Sequence, residues 1–174
     1  KSTFFDFKSK CSEQCPGNAW LIPNNALFMR LDSFVERCQD VLDLTQTIVQ
    51  FGKLAQIEIG GTKGKTLTTS VRQIYADFVD AVRAFEGAPY DIMDIGAKRF
   101  DDDFYAFRSR TKELERRLGS IITQAFDDAG TLFGQFKLLD SFESLLEREL
   151  IHDELEKRHS ALVSSYGKDL TIVG

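Results

Sequence analysis

The run FYAFRSRTKELERRLGSIITQA, residues 104–125, decides the fold class. Its positions Phe104, Phe107, Thr111, Leu114, Leu118, Ile121 and Ala125 step by 3, 4, 3, 4, 3 and 4. That rhythm lays them along one stripe of an α-helix and does not fit the two-residue alternation of a half-buried strand. Asp101, Asp102 and Asp103 stand at the start, where carboxylates meet the positive end of the helix dipole. Arg108, Arg110, Lys112, Arg116 and Arg117 supply the polar face. Gly119 reads as a weak point of about 1 kcal/mol against alanine and as a mark of close helix–helix approach.

The same period extends in both directions. Upstream, Leu31, Phe34, Cys38, Val41, Thr45 and Ile48, widened by Val35, Leu42 and Val49, predict a helix from about Ala26 to about Gln56, stopped by Gly60-Gly61. This stripe is expected to be its buried seam, with Cys38 a small buried hydrophobe. Leu67, Val71, Ile74, Phe78, Val82 and Phe85 predict a second helix with Thr66 as N-cap, ended by Gly87-Ala88-Pro89. Downstream, Leu132, Phe136, Leu139 and Phe142 predict a fourth helix reaching Leu146, and Leu150–Tyr166 a more polar fifth. No run alternates long enough to be a strand. The expectation is an all-α architecture: long antiparallel amphipathic helices in a bundle or stacked helical hairpins. It divides into an irregular lead-in over 1–25, a helical bundle over 26–148, and a polar helix over 149–174 that continues into further sequence.

Composition narrows the function. The 174 residues hold fifteen Phe but only three Pro, where average usage gives about nine Pro, so long helices meet few breakers. No stretch is apolar enough for a transmembrane helix, and the first residues lack the layout of a signal peptide. Three cysteines suit a reducing compartment. A net charge of −5 argues against a nucleic-acid partner. The chain starts without Met and stops without a closing element, as a piece of something longer would.

Apparent chemical motifs fail on spacing. In Ile59-Gly60-Gly61-Thr62-Lys63-Gly64-Lys65-Thr66 a phosphate-binding loop needs its first glycine where Ile59 stands, and it must follow a strand. What remains is a glycine-rich turn, with Lys63 and Lys65 as a residual anion site at a helix N-terminus. His152 and His159 lie seven apart rather than the four a zinc-protease helix requires. Cys11 and Cys15 lack a second pair to complete a tetrahedral zinc site. No nucleophile–base set has recognisable spacing, so no catalytic, cofactor-binding or metal-ligating residue is expected. The arginines Arg108, Arg110, Arg116 and Arg117 are either a solvated face or a contact for an acidic partner. Apolar seams left unpaired within the chain can dock against another helix.

One resemblance is specific through its order. Arg30-Leu31-Asp32-Ser33-Phe34-Val35-Glu36-Arg37, Gln50-Phe51-Gly52-Lys53-Leu54, Ile57-Glu58-Ile59-Gly60-Gly61-Thr62-Lys63-Gly64 and Asp102-Asp103-Phe104 come first. Glu113-Leu114-Glu115-Arg116-Arg117-Leu118-Gly119, Gln124-Ala125-Phe126-Asp127-Asp128, Phe136-Lys137-Leu138-Leu139-Asp140-Ser141-Phe142 and Leu145-Leu146-Glu147-Arg148 follow. This series resembles the N-terminal tail of dynein heavy chains, the axonemal class and within it the ciliary outer-arm type. The resemblance implies a non-catalytic tail segment of a microtubule motor that drives ciliary or flagellar beating. Its implied partners are other heavy chains, intermediate and light chains, and docking proteins on the doublet microtubule; no membrane is implied. The implied location is the cytoplasm, the cytoskeleton and the axoneme of the cilium or flagellum. ATP, Mg²⁺ and microtubule binding would belong to the motor region of the parent chain, not to this fragment. Glu149 departs from the family, which favours Pro after Glu147-Arg148, and implies that helix four runs straight into helix five. The competing expectation is an unrelated cytosolic helical adaptor. A third, an enzyme using Lys65 and Thr66 as a phosphate site, would need ATP turnover by this fragment alone.

Overall fold

The computed structural model describes residues 24–145 and 148–173, together with residues 3, 5, 6, 9 and 10. The elements are α1 (Asn24–Gly52) with a 3-10 turn (Lys53–Gln56), α2 (Gly64–Glu86), α3 (Lys98–Asp128), α4 (Leu132–Phe142) with a 3-10 turn (Glu143–Leu145), and α5 (Glu149–Val173). Among the described residues there is no strand, and the expected all-α bundle is what forms. Of the lead-in, residues 3, 5, 6, 9, 10, 24 and 25 are helical. Cys11, Cys15, Trp20, Leu146 and Glu147 lie outside the described residues.

The helix read first from sequence, α3, is the axis of the bundle. Antiparallel to it runs α2: Lys63 meets Asp128, Asp77 meets Arg117, and the Phe85 ring meets Phe100. Parallel to it runs α1, with Arg37 on Asp101 and Asp43 on Arg108. Helix α5 is parallel too, with Arg148 on Glu115, Glu154 on Thr123, and Arg158 on Asp127. Thus α1 reaches the first half of α3 through side-chain bonds, α5 packs along the second half, and Arg148 joins the start of α5 to the end of α1.

Aromatic packing explains the phenylalanine count. Phe51 of α1 stacks on Phe78 of α2, with ring centroids 4.5 Å apart. Phe78 reaches Phe107 of α3, which is edge-on to Phe85 at 5.7 Å. Phe85 and Phe104 both touch Phe100, which also receives Tyr90 from the α2–α3 connector. Each ring pair adds about 0.5–1.5 kcal/mol beyond the apolar area it removes from water. The rings thereby join three helices and a loop in one core.

Several expectations are corrected. Most of the α1 stripe does not face this core: Leu31, Phe34, Cys38, Leu42, Thr45, Ile48 and Val49 are exposed, while Val35 and Val41 are half-buried and Val41 packs against the core. The buried residues of α1 are Phe28, Arg37, Leu44, Thr47 and Phe51, because α1 meets α3 through arginine-centred bonds and α2 through the Phe51 ring. Periodicity defines a stripe but not the side on which its partner lies. Cys38 is accordingly exposed and not a buried hydrophobe. At α2 the helix begins at Gly64, with Lys63 at the N-cap and no side-chain cap there, so Thr66 sits inside the first turn. Helix α4 ends at Phe142 rather than reaching Leu146, and α5 begins at Glu149 after a bend at Arg148. The two are therefore separate elements.

Gly119 marks no close approach either, since a Cβ built there meets nothing within 4 Å. Gly119→Ala is expected to raise stability by about 0.5–1 kcal/mol, by restricting the unfolded chain and improving helix propensity. Urea unfolding checks the sign. A loss of stability would mean that a neighbour crowds the position after all.

Candidate functional site

The glycine-rich turn between α1 and α2 is held by contacts within the chain. Gly61 adopts φ 95°, a left-handed conformation that suits glycine. A Cβ on Gly64 would collide with the Ile59 carbonyl, so the extended Ile57–Ile59 run can lie against the start of α2 only with glycine there. The Ile59 N–H donates to Thr68 Oγ1 at 2.9 Å. At the helix start the anion is the chain's own Asp128: it accepts from Thr62 Oγ1 at 2.6 Å and from the Lys63 N–H at 2.8 Å. The Thr62 hydroxyl first, and then the Lys63 amide, hold the Asp128 carboxyl below its ordinary value of 3.8. The C-terminal end of α3 thus supplies a carboxylate to the turn at the start of α2.

The four arginines do not share one face. Arg117 donates to Asp77 Oδ2 at 2.6 Å, and Arg110 reaches the same oxygen at 3.6 Å, so these two serve the α2–α3 contact. Arg108 turns to Asp43 of α1 at 3.8 Å, with its guanidinium over the Phe104 ring. Arg116 pairs with Glu113 at 3.3 Å on the open surface. Arg117, and then Gln73, hold the Asp77 carboxyl below 3.8. A carboxylate whose folded pKa is depressed adds stability that is complete above its unfolded pKa and is lost as pH falls through the folded value. Melting curves of the native chain and Asp77→Asn should therefore differ near neutral pH and converge as pH drops below 3.8. A gap that stays constant with pH would show that Asp77 contributes through shape and not charge.

Two other arginines do more than their place in the sequence suggests. Arg37 is 4% exposed and donates to the carbonyls of Ile92 and Asp94, both at 2.8 Å, and to Asp101 at 2.7 Å. Its guanidinium also lies 4.1 Å from the Phe100 ring centre, so α1 clamps the α2–α3 connector. Arg148 Nε donates to the buried carboxylate of Glu115 at 2.6 Å, and its Nη1 to Thr47 at 3.0 Å and Gln50 at 3.3 Å. Asp101 and Asp103 likewise do more than start α3, since Asp103 accepts from the Tyr90 hydroxyl at 2.6 Å. Burial first, and then this carboxylate, push the Tyr90 hydroxyl up to about 12. A signal for Glu115 was present: Ile122 and Phe126 follow it at seven and eleven residues on the same arc. A charge in such a row needs a buried partner.

One uncovered surface is rich in apolar side chains. On α1 the positions Leu31, Val35, Cys38, Leu42, Thr45 and Val49 advance by 4, 3, 4, 3 and 4, which is coiled-coil spacing. Leu42 at 49% and Val49 at 61% exposure show how open this seam is, with Val35 half-buried at its edge. Among the described residues no group of three or more His, Cys, Asp or Glu is placed to hold a metal, and no helix is long and apolar enough to cross a membrane. The geometry is that of a packing surface.

The comparisons with known proteins bear on the same residues. The family model described as "Dynein heavy chain, N-terminal region 1" matches residues 1–174. This chain belongs to the dynein heavy chains. It is 53% identical over 98% of its length to the flagellar outer-arm dynein beta chain of Chlamydomonas reinhardtii. It is 38% identical over 89% to dynein axonemal heavy chain 17 of Mus musculus, and 34% identical over 87% to the ciliary dynein beta chain of Heliocidaris crassispina. The matched stretch is 4%, 4% and 3% of those relatives' own lengths, so the segment is a small fraction of chains of that size. Membership removes the unrelated-adaptor expectation. The axonemal character implied by the ordered motifs agrees with relatives that are flagellar, axonemal and ciliary chains. Glu115 and Arg148, which lie in two of the stretches that carried the resemblance, form an ion pair.

Proposed function

We propose that this dynein heavy-chain segment is a non-catalytic assembly region of an axonemal motor's tail, docked to its complex through the outward seam of α1. One observation carries the reading: Leu31, Cys38, Leu42 and Val49, apolar positions of α1 at coiled-coil spacing, are exposed to solvent. A helix from another heavy-chain tail, an intermediate or light chain, or a docking protein of the doublet microtubule would bury it, as helix-in-groove partners do. ATP hydrolysis with Mg²⁺ and microtubule binding are assigned to other regions of the parent chain. The working location is the axoneme of a cilium or flagellum.

Pull-down from axonemal extract with the native segment should recover one of these components. Leu42→Glu combined with Val49→Glu should abolish recovery while leaving the melting temperature within a few degrees, because both side chains already face water. Recovery of none of these components by the native segment, or full recovery by the double variant, would sink the proposal.

A further inference from the structure

A second surface lies between α4 and α5, independent of the α1 seam. There the two helices enclose an open groove of about 440 Å³. Its floor is apolar: Leu155 is fully buried, Leu139 half-buried, and Phe136 forms a wall. One turn earlier on α4, Phe133 is 81% exposed, which extends the apolar strip beyond the groove. The charged lining is of one sign. Asp140 and Glu143 stand on the α4 side and Glu156 on α5, and among the described residues no lysine or arginine lines the groove. His152 and His159 complete the α5 wall, with His152 Nε2 3.2 Å from Glu156.

We propose that this groove takes the apolar anchor of a basic amphipathic helix from a partner protein. The floor has room for an aromatic or branched side chain. Flanking lysines or arginines would meet the three carboxylates, each pairing replacing water with an opposite charge beside an apolar contact. Charge complementarity of this kind selects partners and orients them. It disfavours acidic helices, and it disfavours a second copy of this chain, whose own net charge is −5. The groove also carries its own reporter: the chain has two histidines and both line it.

The test uses the 174-residue chain and a fluorescein-labelled helical peptide with Leu and Phe on one face and Lys and Arg on both flanks. A twin peptide carries Glu in place of every basic residue. Anisotropy should show saturable binding of the basic peptide, with the twin at least about tenfold weaker. Ring-proton NMR signals of His152 and His159 should shift on addition. Asp140→Lys combined with Glu156→Lys should weaken the basic peptide by at least about tenfold. The Leu42→Glu/Val49→Glu chain should bind it as the native chain does, which separates this surface from the α1 seam. The proposal is overturned by absent binding, by binding that leaves both histidine signals unmoved, or by equal affinity in the charge-reversed variant. Self-association of the native chain that disappears in that variant would overturn it too, since the occupant would then be a second copy.

Discussion

Arg148→Ala is expected to lower the unfolding free energy by about 3–5 kcal/mol, read as a shift of the urea midpoint at constant slope. The effect is large because of what is left behind. Glu115 is 3% exposed in the middle of α3, and Arg148 is its ion-pair partner. Without the guanidinium a carboxylate stays buried unpaired, or the α1–α5 junction opens to let water in. Thr47 and Gln50 lose a donor at the same time. Replacing both ends together, Arg148→Met with Glu115→Leu, should recover most of the loss, because apolar side chains of similar volume can match a buried pair. A single-variant loss below about 1 kcal/mol would show that Glu115 reaches solvent without Arg148.

Phe78→Ala is the second large effect, expected at about 3–5 kcal/mol. Phe78 is 2% exposed and stands between Phe51 of α1 and Phe107 of α3. Truncation removes ring contacts on both sides and leaves a void between three helices that cannot all close in. Phe133→Ala is the natural control: at 81% exposure it should change stability by no more than about 0.5 kcal/mol. If the two variants melt alike, the aromatic chain is not the centre of the core.

The contrast between α3 and α1 shows what could be read from sequence. At α3 the step pattern located both the helix and its buried side, because a central helix is covered on several sides and any apolar arc finds cover. At α1 the same pattern located the helix and put its stripe on the wrong side. A peripheral helix has a single contact arc, and Arg37 and Thr47 occupy it under hydrogen bonds that a hydropathy period does not register. Two of the carboxylates Asp101–Asp103 were legible as a helix start but not as the acceptors for Arg37 and Tyr90. Both bonds join residues far apart in sequence or held in an irregular connector. The α4–α5 groove was invisible for a similar reason, since it needs two helices to fold back on each other. His152 and His159 were noticed for metal spacing and not as neighbours of Phe136.

Because α1 and α5 both run parallel to α3, and meet end to end against it, the chain enters the bundle at one end and leaves towards the other. The arrangement is a lap joint. Tension drawn from α1 to α5 has no straight covalent path: it crosses from Thr47 and Gln50 to Arg148, and sideways into α3 through Arg37–Asp101 and Asp43–Arg108 to return through Glu115–Arg148 and Asp127–Arg158. Such a splice is strained in shear, where all its cross-links stretch together, and not in peel, where they break in succession. Its resistance to extension therefore sums over the length of overlap. A point substitution at the splice, Arg148 above all, should lower rupture force more than an equally destabilising change in the α2–α3 core.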